Sequence, residues 1–278
     1  MQRFNSFFNI VEGNEGERCH YPTRLDTYGC GCQHNCGYCY ARSLLDFRGL
    51  WNPAQPAAAS VRDIYKVVKN KLHPGQVIRL GGMTDCFQPM EAARKNTRRT
   101  IEMLNARRVH YLIVTKGAII KDYTDVLDPK LAHIQVSITS TSPAISKRIE
   151  PGASLPEERI RAVEALKGYD ISVRLSPYIP EFVDMDVINA IDCDKILVEF
   201  LRVNTWIEKW LGNYVDLRPW TLTHGGYKHL PLSKKRELIA KVTGFKEVSV
   251  CEDVPEHWEF WRTHLNANPE DCCNLTFK

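Results

Sequence analysis

The sequence predicts an α/β protein, a partial (β/α)6 TIM-like barrel with a C-terminal cap. Three observations carry this. Strand-like runs alternate with helical ones along most of the chain, which is the rhythm of parallel βαβ units. The 278 residues suit one barrel of about 250 residues better than two domains, because no internal repeat, low-complexity tract or clear linker divides them. Polar residues gather where the strands end, and a parallel barrel assembles its chemistry at the carboxyl ends of its strands. The expected division is a barrel with an N-terminal extension over 1–204 and an extension packing on it over 205–278.

The first strand is expected near Arg24 to Tyr28. Ala54 to Ala59 reads as a linker into a helix. Ser60 caps that helix, whose apolar positions Val61, Ile64, Tyr65, Val68 and Leu72 share a face, and Pro74-Gly75 stops it. Val77 to Gly81 is a strand, Met90 to Asn105 is helical, and Val109 to Thr115 and His133 to Thr139 are strands. Ser154 with Glu157 forms a capping box, with Pro156 early in the helix that carries Ile160, Val163 and Leu166. Ile171 to Leu175 and Lys195 to Leu201 complete the series. The strand-end candidates are then Gly81, Gly82, Thr84 and Asp85; Thr115 and Lys116; Ser137 and Thr139; Arg174, Ser176 and Pro177; and Glu199, Arg202 and Asn204.

Hydrophobic residues at 44% and charged residues at 25% exclude a disordered chain. A net charge of +4 permits a polyanionic partner without requiring one. No stretch reaches the roughly 18 apolar residues of a membrane span, and Met1 to Glu17 lacks the apolar core of an export signal. The expectation is a soluble, cytoplasmic protein with no membrane partner. Ten cysteines are too few for a disulfide scaffold, yet Cys19, Cys30, Cys32, Cys36 and Cys39 crowd the start of the chain. In a reducing compartment such crowding points to metal ligation or catalysis.

Cys32, Cys36 and Cys39 are spaced Cys-x3-Cys-x2-Cys, and short loops of this kind bring three thiolates to one centre. Soft thiolates select zinc, copper(I) or iron–sulfur clusters. Zinc wants four ligands, generally as two separated pairs; Cys30 or His34 is available as a fourth. A four-iron cluster normally takes four cysteines, so three leave one iron open to a substrate or cofactor.

On these residues the chain resembles the radical S-adenosylmethionine (radical SAM) superfamily, including the aromatic Tyr38 just before the last cysteine. The runs Gly81 to Glu91, Ile113 to Lys116, Val136 to Thr139 with Glu150-Pro151, and Ser176 to Pro180 resemble its spore photoproduct lyase-like (DNA repair photolyase) branch, from about Tyr21 to Asn204. The resemblance implies a partial barrel of the radical SAM type, a [4Fe-4S] cluster on Cys32, Cys36 and Cys39, and S-adenosylmethionine chelated to the open iron. It also implies roles around that cofactor. Tyr38 lies against adenine, Gly81 and Gly82 approach the methionine end, Lys116 pairs with its carboxylate, Ser137 hydrogen-bonds the same ligand, Thr84 and Arg174 also belong to the cofactor-binding set, and Pro177 to Ile179 shape an adenine wall.

The same branch carries a cysteine just ahead of a Ser-Asp or Thr-Asp pair, as hydrogen donor to the repaired thymine. Here Gly82 and Met83 precede Thr84-Asp85, and Cys86 follows. Cys86 is therefore either a hydrogen donor from the other side of the turn or a small buried hydrophobe. Tyr40 either joins a hydrogen relay or packs under the loop. Cys193 and Cys251 read as core residues; Cys272 and Cys273 read as surface thiols, a flexible hydrogen donor or part of a second metal site.

Arg94, Lys95, Arg98, Arg99, Arg107 and Arg108 form one basic patch, and Lys228, Lys234, Lys235 and Arg236 another, as phosphate binding requires. The expected function is radical SAM chemistry on a nucleic acid or nucleobase, served by an external one-electron donor such as flavodoxin or ferredoxin. The alternatives are modification of a peptide or small molecule and, in another class, a zinc-binding nucleic-acid module.

Overall fold

The computed structural model describes residues 4–12 and 18–277; residues 1–3 and 13–17, part of the segment read above for an export signal, lie outside the described residues. The strands in chain order are β1 (Phe8–Ile10), β2 (Thr23–Leu25), β3 (Tyr28–Gly29), β4 (Ala57–Ala58), β5 (Val77–Leu80), β6 (His110–Thr115), β7 (Ala132–Ile138), β8 (Asp170–Tyr178), β9 (Lys195–Phe200), β10 (Leu222–His224), β11 (Tyr227–His229) and β12 (Glu247–Val250). The main sheet runs β1-β2-β5-β6-β7-β8-β9-β12. From β2 to β12 every neighbouring pair is parallel. The expected partial (β/α) barrel is the fold observed.

Burial explains why these segments became strands. All seven residues of β7 are buried, as parallel strands covered on both faces require. Ile113, Val136, Val173 and Val198 are each fully inaccessible in the core between sheet and helices. The helix Val61–Lys71 starts as expected, with the Ser60 hydroxyl accepting from the Asp63 N–H. Ser60→Ala is expected to cost about 1 kcal/mol, read as a lower midpoint in urea unfolding.

Several expectations are corrected. The helix expected over Met90 to Asn105 is two, Glu91–Arg94 and Asn96–Ala106, broken at Lys95 in the left-handed region (φ +54°). The cause is Glu91. Its buried carboxylate accepts from the backbone N–H of Thr97 (2.9 Å) and Arg98 (3.0 Å), capping the second helix, and from the hydroxyls of Tyr28 and Tyr123. Only half of a capping box forms, one residue later than read, because the N-cap is Leu155 and its side chain cannot accept. The Leu155 N–H donates to Glu158 (2.7 Å), while the Ser154 hydroxyl accepts from the Ala118 N–H (2.9 Å). The expected first strand divides: Thr23–Leu25 joins the barrel, and Tyr28–Gly29 leaves it to pair with Ala57–Ala58, inside the expected linker.

Two strands of the main sheet stand outside the barrel series read from the sequence. β1 adds an antiparallel edge beside β2, and β12 adds a seventh parallel strand, with Glu247 opposite Lys195. The segments flanking these edges are joined to each other. The Tyr21 hydroxyl donates to Asp271 (2.6 Å), and Arg18 donates to the Asp253 carbonyl (3.1 Å). Lys195 in turn donates to the Asn274 carbonyl (2.8 Å), holding the C-terminal segment across the barrel. No helix among the described residues is long and apolar enough to cross a membrane.

Candidate active site

The carboxyl ends of the parallel strands and the loop after β3 enclose a cavity of about 250 Å³. Cys32, Cys36 and Cys39 line it together. Their loop is a chain of tight turns: Cys30, Gly31 and Asn35 have φ of +55°, +142° and +48°, the Asn35 N–H donates to the Cys32 carbonyl and the Cys39 N–H to that of Cys36. Cys39 then begins the helix Tyr40–Asp46.

The loop is moored to later turns and to the end of the helix Pro143–Ile149. The Gln33 N–H donates to the Gln88 side chain (2.8 Å), the Gly37 N–H to the Ile149 carbonyl (2.8 Å) and the Gly152 N–H to the His34 carbonyl (3.2 Å). A Cβ on Gly152 would collide with the Gln33 backbone, so only glycine allows this approach.

Burial is the largest influence on all three thiols and pushes them up, Cys32 to about 12. Lys116 pulls Cys36 and Cys39 the other way. Thiols this reluctant to ionise become thiolates when a metal supplies the charge. The spacing of the donors discriminates between metals. One tetrahedral zinc with 2.3 Å bonds needs sulfurs about 3.8 Å apart. Among the described residues only His229, Glu252 and Asp253 bring three ligand atoms within 4.8 Å of one another. The three thiols are therefore spread more widely than a single ion requires, and the set fits a multinuclear cluster with one metal left open. Glu252 itself is occupied by Lys235, and Asp253 by Arg202.

Behind the thiols sits a buried ionic pair. The Tyr38 hydroxyl donates to Glu150, which is paired with Arg159; both charged side chains have no exposed surface. Arg159 also donates to the carbonyls of Ser154 (2.7 Å) and Ser137 (3.0 Å). Burial, the largest influence, raises the Glu150 carboxyl, but Arg159 and Lys116 overcome it and hold the group at about 2. The Lys116 ammonium stands 5.6 Å from the centre of the Tyr38 ring and donates to the Ser176 carbonyl (3.3 Å).

The turn after β5 is held by two carboxylates. Asp26, absent from the sequence candidates, accepts from the backbone N–H groups of Gly82 (2.8 Å), Met83 (3.1 Å) and Thr84 (3.2 Å). Asp85 accepts from the Thr115 hydroxyl, the Lys116 N–H (both 2.7 Å) and the Phe87 N–H (2.8 Å), and pairs with His34 at 3.3 Å. Burial again raises it most, but His34 and these donors bring it to about 2. Gly81 has φ of +82°, and a Cβ there would lie 2.7 Å from the Thr84 carbonyl oxygen. Asp85 thus locks the cysteine loop to two strand ends.

Tyr38, Tyr40, Gly81, Gly82, Thr84, Lys116, Ser137, Arg174 and Pro177 all line the cavity with the three cysteines. Tyr40 donates its hydroxyl to the Gly82 carbonyl, and Arg174 donates to Gln135 and Glu199 (both 2.6 Å). Two expected site residues stand apart. Cys86 is fully buried, its thiol directed at the Leu80 carbonyl, and Ile179 is fully buried in the core; neither lines the cavity. The basic patch from Arg94 to Arg108 runs over the helices Glu91–Arg94 and Asn96–Ala106 and the turn after them, and Arg98 within it pairs with Asp125. Sequence reading also missed a wall of the cavity made by Cys19, Arg24, Arg79, Lys235, Cys251, Trp258, Cys272 and Cys273.

Residues 27–193 match the family model described as the Radical SAM superfamily. An uncharacterized protein of Methanocaldococcus jannaschii is 28% identical over 166 residues, 57% of this chain and 61% of that protein. An uncharacterized protein of Mycobacterium tuberculosis is 26% identical over 170 residues, 55% of this chain and 49% of its own length. The chain thus spans about half to three fifths of the length of the curated relatives it matches. Among solved structures, spore photoproduct lyase complexed with dinucleoside spore photoproduct superposes with a TM-score of 0.63 at 15% identity, covering 93% of this chain and 78% of that one. Methylornithine synthase superposes with a TM-score of 0.50 at 12% identity, covering 84% and 65%. At these identities the likeness is one of fold.

Proposed function

Because the chain belongs to the radical SAM superfamily, whose cofactors are a [4Fe-4S] cluster and S-adenosylmethionine, we propose that Cys32, Cys36 and Cys39 hold that cluster and that the enzyme acts on a nucleic acid or nucleobase. Once bound and reduced by an external one-electron donor of the flavodoxin or ferredoxin kind, these cofactors supply a 5′-deoxyadenosyl radical. The chain's own residues bind, orient and shield them.

Lys116 brings the positive charge for the carboxylate of S-adenosylmethionine. Gly81, Gly82 and Thr84, braced by Asp26, present a backbone edge to its methionine end. Tyr38 and Pro177 offer apolar surface to adenine, while Ser137 and Arg174 offer hydrogen bonds. Tyr40 acts as a positioning residue through the Gly82 carbonyl.

The observation that carries the substrate reading is the charge of the cavity. Arg18, Arg24, Arg79, Lys116, Arg174, Arg202 and Lys235 line it, against Asp85, Glu199, Glu252, Asp253 and Asp271. That surplus of cations suits a phosphate-bearing ligand. The likeness in fold to a lyase holding a dinucleoside photoproduct supports the same class.

The test is anaerobic turnover with reductant and S-adenosylmethionine, offering a spore photoproduct dinucleotide beside an undamaged oligonucleotide. Consumption of either is the expected result. Release of 5′-deoxyadenosine with neither consumed removes the nucleic-acid reading and leaves the radical chemistry. Cys86→Ala is expected to keep 5′-deoxyadenosine release within about twofold of wild type and to lower unfolding free energy by about 1 kcal/mol, because its thiol packs in the core outside the cavity.

A further inference from the structure

Four more thiols line the same cavity as the cluster loop: Cys19, Cys251, Cys272 and Cys273. They come from three segments far apart in the chain. Those segments meet at the seam where the Tyr21–Asp271 and Arg18–Asp253 bonds join the two ends of the sheet. Cys251 and Cys273 both push the Cys272 thiol up, and both add to the burial that raises Cys19, so the four thiols are electrostatic neighbours. All four are free thiols. Four thiols sharing one wall exceed what packing needs, since a free cysteine ordinarily serves the core singly as a small hydrophobe.

The surroundings are built for negative charge. Arg79 faces both Cys19 and Cys273, and Arg174 faces Cys273. The Arg79 Nε is buried with no hydrogen-bond partner among the described residues, although burying such a group unpaired is costly. Four thiolates on a [4Fe-4S]2+ core carry two negative charges; Arg79 offsets part of that charge, while Arg174 already answers Glu199. As at the first site, no three of these sulfurs fall mutually within 4.8 Å, wider than one tetrahedral ion allows.

We propose that Cys19, Cys251, Cys272 and Cys273 bind a second iron–sulfur cluster, of the four-iron type, on the cavity wall formed by the seam. Assembly forms four Fe–S(Cys) bonds and releases the four thiol protons. The adjacency of Cys272 and Cys273, awkward for two ligands to one ion, suits a cluster whose irons are separate. The site shares its cavity with the first cluster, so a substrate lying between them touches both. The inference is independent of which substrate that is.

The test is metal content after anaerobic reconstitution with iron and sulfide. Wild-type protein is expected to hold about eight irons and eight sulfides per chain, and the Cys32→Ala/Cys36→Ala/Cys39→Ala variant about four of each. The reduced variant should give an electron paramagnetic resonance signal that S-adenosylmethionine does not alter. Cys272→Ser/Cys273→Ser should lose the second half of the iron and keep a signal that S-adenosylmethionine does alter. Cys19→Ser, which replaces a single sulfur, repeats this test should the double variant fail to fold. Wild-type protein that saturates at about four irons with a colourless triple variant overturns the proposal. So does a triple variant that holds zinc and no sulfide.

Discussion

Replacing any one of Cys32, Cys36 or Cys39 by alanine is expected to reduce 5′-deoxyadenosine formation to below about a thousandth of the wild-type rate, a loss of about 4 kcal/mol at 1.36 kcal/mol per tenfold. In the proposed ligand set three thiols are the whole protein share of a cluster that leaves one iron open, and no fourth thiol of their own loop reaches the cavity. Cys30, next in sequence, is absent from the cavity wall. The variants should still fold, because the loop is moored by Gln33, Gly37 and His34 through backbone and amide bonds that none of the three sulfurs supplies. Anaerobic single-turnover assays read the rate, and far-ultraviolet circular dichroism reads the fold. A variant retaining a tenth of the activity would remove that cysteine from the ligand set.

The second large effect is on stability. Arg159→Leu strands the Glu150 carboxylate, which has no exposed surface, and leaves the Ser137 and Ser154 carbonyls without their donor. Breaking one side of a buried pair costs about 3–5 kcal/mol, which urea unfolding measures directly. The pH dependence has a definite sign. In the wild type Glu150 is held below its ordinary value of 4.5, at about 2, so the pair's contribution is complete above about 4.5 and is lost as pH falls toward 2. Without Arg159, the largest of the influences pulling Glu150 down is gone, and burial raises the group. The variant then takes up a proton on folding and is less destabilised at pH 5 than at pH 8. Equal losses at both values would place the negative charge elsewhere.

The barrel was legible where local patterns carry it. Apolar runs such as those of β5 to β9 need no distant partner to be recognised, and neither does the Ser60 cap. What was illegible depended on contacts across the chain. Glu91 breaks an otherwise continuous helical pattern only because Tyr28 and Tyr123 enclose its carboxylate. Ala57 and Ala58 become a strand only because Tyr28–Gly29 lies alongside. β12 is four residues long and pairs on one side only, with β9.

The site divides in the same way. Cys32, Cys36 and Cys39 sit within eight residues and announce themselves by spacing. Strand-end logic also found Asp85 and Lys116. Asp26 was invisible because its three partners, Gly82 to Thr84, lie more than fifty residues away. Cys251 was read as a core residue and was not joined with Cys272 and Cys273, because the seam that gathers them is a matter of topology.

That seam also sets an order in time. The cluster loop leaves the ribosome about two hundred residues before Cys251, so during synthesis it stands at the mouth of a barrel whose last strand does not yet exist. Docking of β12 on β9 then completes the opposite wall, which carries Cys251. Shortening the chain before Glu247 leaves six parallel strands paired and one side of the cavity open to oxygen, so cofactor loss should precede any loss of secondary structure.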